Sequence, residues 1–278
     1  MTDAMLDKLV RFERPERSLP YAWAMDDAAT AAVFGADPSD YAASKRALDA
    51  RRADAVRRLA AMPPVRAALD RAPFASGSRI LAIGESTTAD RLSWFELLTA
   101  LFDTERPDLG VRFENLAISG STTTQALANL PGFRRRQPDV VFCMLGANDA
   151  RRFPGAEGDR LVSTAETTRN LQLIRREAVG EPGPRWIWIA PTPIDEQRVA
   201  AHPYLGGAGL AWTVADVHGT AAFLCGAAEP GDLVIDPADA SGPMPLLDDG
   251  LHPQLDAQMT LAAHVLDVLH PIADLHSA

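Results

Sequence analysis

The chain has 278 residues, 47% of them hydrophobic, which is enough for one large core or a core with an appendage. Its formal net charge of −10, from 27 basic and 37 acidic residues, argues against nucleic acid or an anionic membrane as a partner, because either would be repelled. Only two cysteines are present, Cys143 and Cys225; they suggest no disulfide framework, and no cluster has the spacing of metal ligands.

Residues 1–75 are rich in Ala, Arg and Asp and contain no strand-like apolar run. The first eight residues are too acidic and too poor in apolar side chains for a secretory signal, so a cytoplasmic location is expected. From Ser39 to Ala61 the spacing of Tyr41, Leu48, Val56 and Leu59 predicts a helix, capped by Ser39 and stopped by Pro63-Pro64. A short helix over Val65–Arg71 follows. These narrow apolar stripes need something to pack on, so the region reads as a helical extension (1–75) to a main domain (76–278). Covering a sheet edge, shaping a pocket rim and joining two copies of the chain are all open uses for it. The arginine clusters at Arg51-Arg52, Arg57-Arg58 and Arg134–Arg136 read as solvated faces interleaved with acids.

From Ser78 onward the texture changes. Short apolar runs at Arg79–Ile83, Arg112–Ile118, Val140–Leu145, Trp186–Ala190 and Leu233–Ile235 read as buried parallel strands, with Cys143 a buried strand thiol. Helical patterns lie between and after them, at about Arg91–Phe102, Thr123–Leu130, Ala165–Ala178, Leu210–Gly226 and Leu255–Leu269. The alternation predicts an α/β fold, a three-layer sandwich with right-handed crossovers. No run approaches the roughly eighteen apolar residues of a membrane span.

In such sheets, sites form at the carboxyl ends of the strands. Three segments sit there: Gly84-Glu85-Ser86-Thr87, Asn115–Gly120 and Gly146-Ala147-Asn148-Asp149. A fourth, Asp249-Gly250-Leu251-His252, precedes the last helix, which Pro253 is placed to open. Ser86, on a strand-to-helix turn, offers a hydroxyl and a free N–H, although Ser-Thr-Thr is also ordinary capping chemistry. Gly120 offers a backbone donor and Asn148 an amide donor that does not change charge with pH. The Asp249–His252 spacing lets a carboxylate hold one imidazole nitrogen and leave the other free to take a proton. His202, His218, His264, His270 and His276 read as packing or surface residues.

These four segments, in this order, resemble the four sequence blocks of the SGNH hydrolases, also called the GDSL esterase/lipase family. The resemblance covers about residues 78–270. It implies a flavodoxin-like five-stranded sheet and a serine esterase with Ser86 as nucleophile, His252 as general base and Asp249 as its orienter. Ser86 N–H, Gly120 N–H and Asn148 Nδ2 would form the oxyanion hole, and no cofactor or metal is required. The expected partner is a small-molecule ester with a short, acetyl-like acyl group. A carbohydrate O-deacetylase, an acyltransferase and a non-catalytic binding protein are the alternatives. Trp188, Trp212, Pro191–Pro193 and Gly206–Gly209 are candidates to line the alcohol side. Glu85 departs from the family pattern, which has aspartate before the serine; its longer side chain is expected to alter the turn that presents Ser86.

Overall fold

The structure, a computed structural model, describes residues 2–19, 22, 24–177 and 183–269; the side chains at 225 and 227 are outside it. Five strands form one parallel sheet: β1 (Arg79–Gly84), β2 (Arg112–Asn115), β3 (Val140–Met144), β4 (Arg185–Ile189) and β5 (Leu233–Ile235), in the order β2-β1-β3-β4-β5. This is the flavodoxin-like order, with the direction of winding reversing between β1 and β3. Strand periodicity sends alternate side chains to opposite faces. Ile80, Ala82, Val140, Phe142, Met144, Ile187 and Ile189 enter one core, while Leu81, Ile83, Val141, Cys143, Trp186 and Trp188 enter the other. The sheet is buried on both sides, which is why its strands read as continuous apolar runs.

The N-terminal region supplies α1 (Asp3–Phe12), α2 (Pro38–Ala60) and α3 (Pro63–Asp70). The main domain supplies α4 (Trp94–Glu105), α5 (Thr164–Glu177), α6 (Val214–Ala227) and α7 (Leu255–Leu269). Apolar residues of α2 and α3, among them Val56, Leu59, Val65 and Leu69, join the core that α4 and α7 build on one face of the sheet. A smaller cluster unites Leu6 and Val10 of α1 with Ala31, Tyr41, Leu48 and Leu92.

Several boundaries differ from the sequence reading. The α2 cap is Asp37, whose carboxylate accepts the Ser39 N–H at 2.7 Å, with Pro38 at the first helical position. The stretch 123–130 is a short helix, Thr123–Leu127, followed by a second, Leu130–Arg135. Pro253 does not open the last helix; it forms a β-bridge with Leu246, and α7 starts at Leu255. The helices Asp3–Phe12 and Asp27–Phe34 and a hairpin pairing 152–153 with 159–160 have no counterpart in that reading. Ala178, His270, His276 and the Cys225 side chain lie outside the described residues. Among the described residues, no helix is long and apolar enough to cross a membrane, and no group of three or more His, Cys, Asp or Glu could hold a metal ion.

Candidate active site

Ser86 is the first residue of a one-turn helix, Ser86–Ala89, that begins where β1 ends. Its backbone N–H therefore has no intrahelical partner. The Ser86 Oγ lies 2.9 Å from His252 Nε2, and His252 Nδ1 lies 2.8 Å from Asp249 Oδ2. The other carboxylate oxygen, Oδ1, accepts the backbone N–H groups of Leu251 at 3.0 Å and His252 at 2.9 Å. Gly250 makes this tight turn feasible. Its φ is +69°, and a Cβ there would sit 2.7 Å from the Asp195 carbonyl oxygen.

Asp249 is completely buried. Burial works to raise its carboxyl, but the hydrogen bond and charge of His252 and the two backbone donors outweigh it and hold the group well below the usual carboxylate range. An ionised carboxylate can only accept, so Nδ1 carries the imidazole proton and Nε2 presents its lone pair to the Ser86 hydroxyl. A hydroxyl with a base in hydrogen-bond reach, and an orienting carboxylate behind that base, can act as a nucleophile at neutral pH.

Gly120 lies on the loop that follows β2, with φ +75°, and borders the same opening as Ser86, Phe12 and His252. Neither the Ser86 N–H nor the Gly120 N–H is engaged by another of the described residues. Asn148 borders the same pocket as Ser86, but its amide is occupied. Nδ2 donates to Glu85 Oε2 at 2.5 Å and to the Ser121 carbonyl at 3.1 Å. The structure thus places the expected amide donor at the site with both hydrogens directed elsewhere.

The reason is Glu85. It is buried, and it reaches across the sheet end to accept the N–H of Ala147 at 3.0 Å on Oε1 and of Asn148 at 3.0 Å on Oε2. The Ser86 turn and the Gly146–Asp149 loop are therefore tied together by one carboxyl group. Asp149, also buried, accepts from Thr123 N–H, Thr123 Oγ1 and Thr167 Oγ1, which fixes the far side of the same loop.

Two openings meet at Ser86. One is a cavity of about 20 Å³ bordered by Ser86, Asn148, Pro191, Thr192, Trp212 and Leu251, room for one small group. The other is a cleft of about 790 Å³ between α1 and the 202–212 segment. Trp212 borders both and is fixed by donating from Nε1 to the Ala147 carbonyl at 2.8 Å. Pro191 and Thr192 face the small cavity, not the cleft. Trp188 belongs to the core, bonded to Asp232 at 3.1 Å, and lines neither opening. Leu205 and Leu210 face the cleft where the flanking glycines had been expected. His202 also lines the cleft, whereas His218 is exposed on α6 and His264 is half-buried on α7.

The sequence profile of the GDSL-like Lipase/Acylhydrolase family matches residues 82–258, which include Ser86, Gly120, Asn148, Asp249 and His252. The chain belongs to that family. As a GDSL-like hydrolase it is a carboxylic ester hydrolase. No curated protein sequence matches the chain. Solved structures do. LAE5, an alpha/beta hydrolase enzyme from the metagenome of Lake Arreo, is 21% identical with a TM-score of 0.53, over 71% of this chain and 97% of that one. A variant of Axe2, an acetyl-xylooligosaccharide esterase from Geobacillus stearothermophilus, is 21% identical with a TM-score of 0.55, over 71% and 96%. At such identity these two establish the fold.

The family match begins at residue 82, so α1 lies outside it. Yet α1 and the residue that caps it supply three residues at this GDSL-like site that sequence reasoning missed. Lys8 Nζ lies 3.3 Å from Asp249 Oδ2, the Phe12 ring packs on the His252 imidazole with centroids 4.7 Å apart, and Glu13 borders the cleft beside His252. Burial raises the Glu13 carboxyl, and the nearby His252 charge opposes that rise. The local signal for α1 was present in the Thr2 cap, the buried pair Leu6 and Val10, and Arg11 in the last turn. Nothing local pointed to its partner.

Glu85 gives this hydrolase a pH-dependent stability. Burial is the main cause that pushes its carboxyl up to about 8 from 4.5, with the Asn148 and Ala147 donors holding the rise in check and Asp149 adding to it. The folded state then binds a proton more tightly than the unfolded chain does. That stabilisation is complete below about pH 4.5 and is lost as pH climbs through about 8. Urea midpoints are expected to fall over this window, and Glu85→Gln to flatten the fall. An equally steep fall in the variant would assign the dependence to another group.

Proposed function

We propose that this ester hydrolase works by two-step acyl transfer on Ser86, with His252 as general base and Asp249 as the residue that orients it. The unbroken line of hydrogen bonds from Asp249 through His252 to Ser86, at 2.8 and 2.9 Å, carries this reading. Ser86 Oγ attacks the ester carbonyl as its proton passes to His252 Nε2. The oxyanion that forms is met by the unengaged N–H groups of Ser86 and Gly120. Asn148 Nδ2 becomes the third donor by exchanging the Ser121 carbonyl for the oxyanion. His252 then gives its proton to the leaving alcohol. Water adds to the acyl-enzyme by the same route in reverse, releasing the acid and restoring Ser86.

The two openings support a division of the substrate. A cavity of about 20 Å³ has room for one methyl-sized group, such as the methyl of an acetyl ester, and a cleft of about 790 Å³ accepts a much larger alcohol. A short-chain esterase is the primary reading. The size of the cleft favours, as a second, an O-deacetylase acting on carbohydrate; Axe2, described as an acetyl-xylooligosaccharide esterase, has the same fold. Transfer of the acyl group to a sugar hydroxyl in place of water would use the same steps.

A series of p-nitrophenyl esters from acetyl to palmitoyl tests the acyl assignment. The kcat/KM is expected to fall by at least about tenfold between acetyl and octanoyl, because added methylenes have no cavity to enter. A constant or rising value along the series would rule out the small cavity as the acyl site.

A further inference from the structure

The last turns of α1 hold the His252 segment from three directions. Lys8 Nζ approaches Asp249 Oδ2, the same oxygen that accepts the hydrogen bond of the imidazole Nδ1–H. The Phe12 ring lies against the imidazole, tilted by 45°. Arg11 Nη2 donates to the Pro253 carbonyl at 3.3 Å, one residue beyond His252. These contacts are themselves anchored. Arg11 forms a two-pronged, buried ion pair with Asp90, at 2.7 to 3.0 Å, four residues after Ser86. Arg91 Nε donates to the Val10 carbonyl at 2.7 Å, and Ser119 Oγ donates to the Phe12 carbonyl at 2.6 Å beside Gly120. One helix thus grips the segments that carry Ser86, Gly120 and the Asp249–His252 pair.

We propose that α1 is a working part of the reaction centre, in which Lys8 and Phe12 act as positioning residues for Asp249 and His252. The proposal rests on the acyl-transfer reading of Ser86, Asp249 and His252 above. With Leu251 and His252 N–H on Oδ1, and His252 Nδ1 and Lys8 on Oδ2, the carboxylate has every face occupied and a single orientation available. The ammonium also offsets part of the charge that Asp249 presents to the imidazole. Phe12 blocks rotation of the ring away from Ser86 and keeps water off that face. The charged and titratable groups that share the cleft with His252 are Asp248 and Asp249 on its own turn, Asp7, Lys8, Arg11 and Glu13 from α1 and the residue after it, Arg51 from α2, and Arg151 and His202 from the loops opposite.

Loss of the Lys8 charge has two expected effects. The kcat for p-nitrophenyl acetate falls about tenfold with KM within about twofold, since the geometry of the base is loosened and substrate contacts are not. The acid limb of the kcat/KM profile moves up by about half a pH unit, because a cation no longer opposes a second positive charge nearby. The experiment compares Lys8→Met, Lys8→Gln and Lys8→Arg with wild type and with Ser86→Ala, each checked for folding by thermal denaturation. The Lys8 side chain is 41% exposed, so these changes leave the core intact. Lys8→Met and Lys8→Gln showing both effects, with Lys8→Arg restoring wild-type behaviour, supports the proposal. Inactive Ser86→Ala together with an unchanged kcat and pH profile in both neutral variants overturns it and leaves the acyl-transfer reading standing. Full activity in Ser86→Ala overturns both.

Discussion

Ser86→Ala is expected to remove ester hydrolysis, lowering kcat by on the order of 10⁴ or more while the fold persists. The change deletes one oxygen at the first turn of a short helix and leaves the backbone there untouched. Its one side-chain partner among the described residues, His252 Nε2, keeps water as an alternative, so no buried group is stranded. The loss is therefore chemical. What survives is binding and the N–H groups of residues 86 and 120, which still stabilise attack by water to a small degree. An active-site phosphonate should label wild type once per chain and leave the variant unlabelled. Turnover of p-nitrophenyl acetate by Ser86→Ala within about tenfold of wild type would remove the nucleophile from the mechanism.

Asp249→Asn should be nearly as damaging, at about 10³–10⁴ in kcat. The side chain keeps its shape and can still accept the Leu251 and His252 N–H groups on one oxygen. Its amide then faces His252 Nδ1 and Lys8 Nζ, where the wild type has a carboxylate oxygen. Donor meets donor at both contacts. The imidazole answers by moving its proton to Nε2, and in that tautomer it cannot accept from Ser86. KM is expected to change little. A loss under about tenfold, with the variant folded, would mean that Asp249 serves only the turn.

The fold was largely legible because both faces of the sheet are covered. Runs such as Val140–Leu145 are apolar without interruption, and helices separate them at regular intervals. The site segments were legible for a related reason. Three lie in loops at a strand's carboxyl end and the fourth in the turn before the last helix, where residue type follows chemistry more than packing, and their order along the chain is fixed. The Asp249–His252 turn could even be anticipated in its geometry, since three residues suffice to bring carboxylate and ring to one side.

What stayed hidden was long-range or subtle. Lys8, Arg11 and Phe12 meet partners some 80 to 240 residues away, and no local pattern encodes such a contact. Glu85 differs from the family's aspartate by one methylene. That extra length lets it take the Ala147 and Asn148 donors, and with them the Asn148 amide. The bounds of α2 were missed by one residue because Asp37, not Ser39, is the cap, while those of α7 matched; Pro253, expected to open α7, instead forms the bridge to Leu246.

The joining of Lys8 to Asp249 and of Arg11 to Pro253 spans 241 and 242 positions. During synthesis the first of these residues leaves the ribosome long before its partner is made. A nascent chain halted short of residue 249 can already dock α1 on Asp90, Arg91 and Ser119, but it has neither Asp249 nor His252 to set against Ser86. In the proposed mechanism, the acid–base pair reaches Ser86 only when the segment 249–252 joins α1 and the strand ends already in place. Hydrolysis would therefore report whether that late segment has joined the earlier ones.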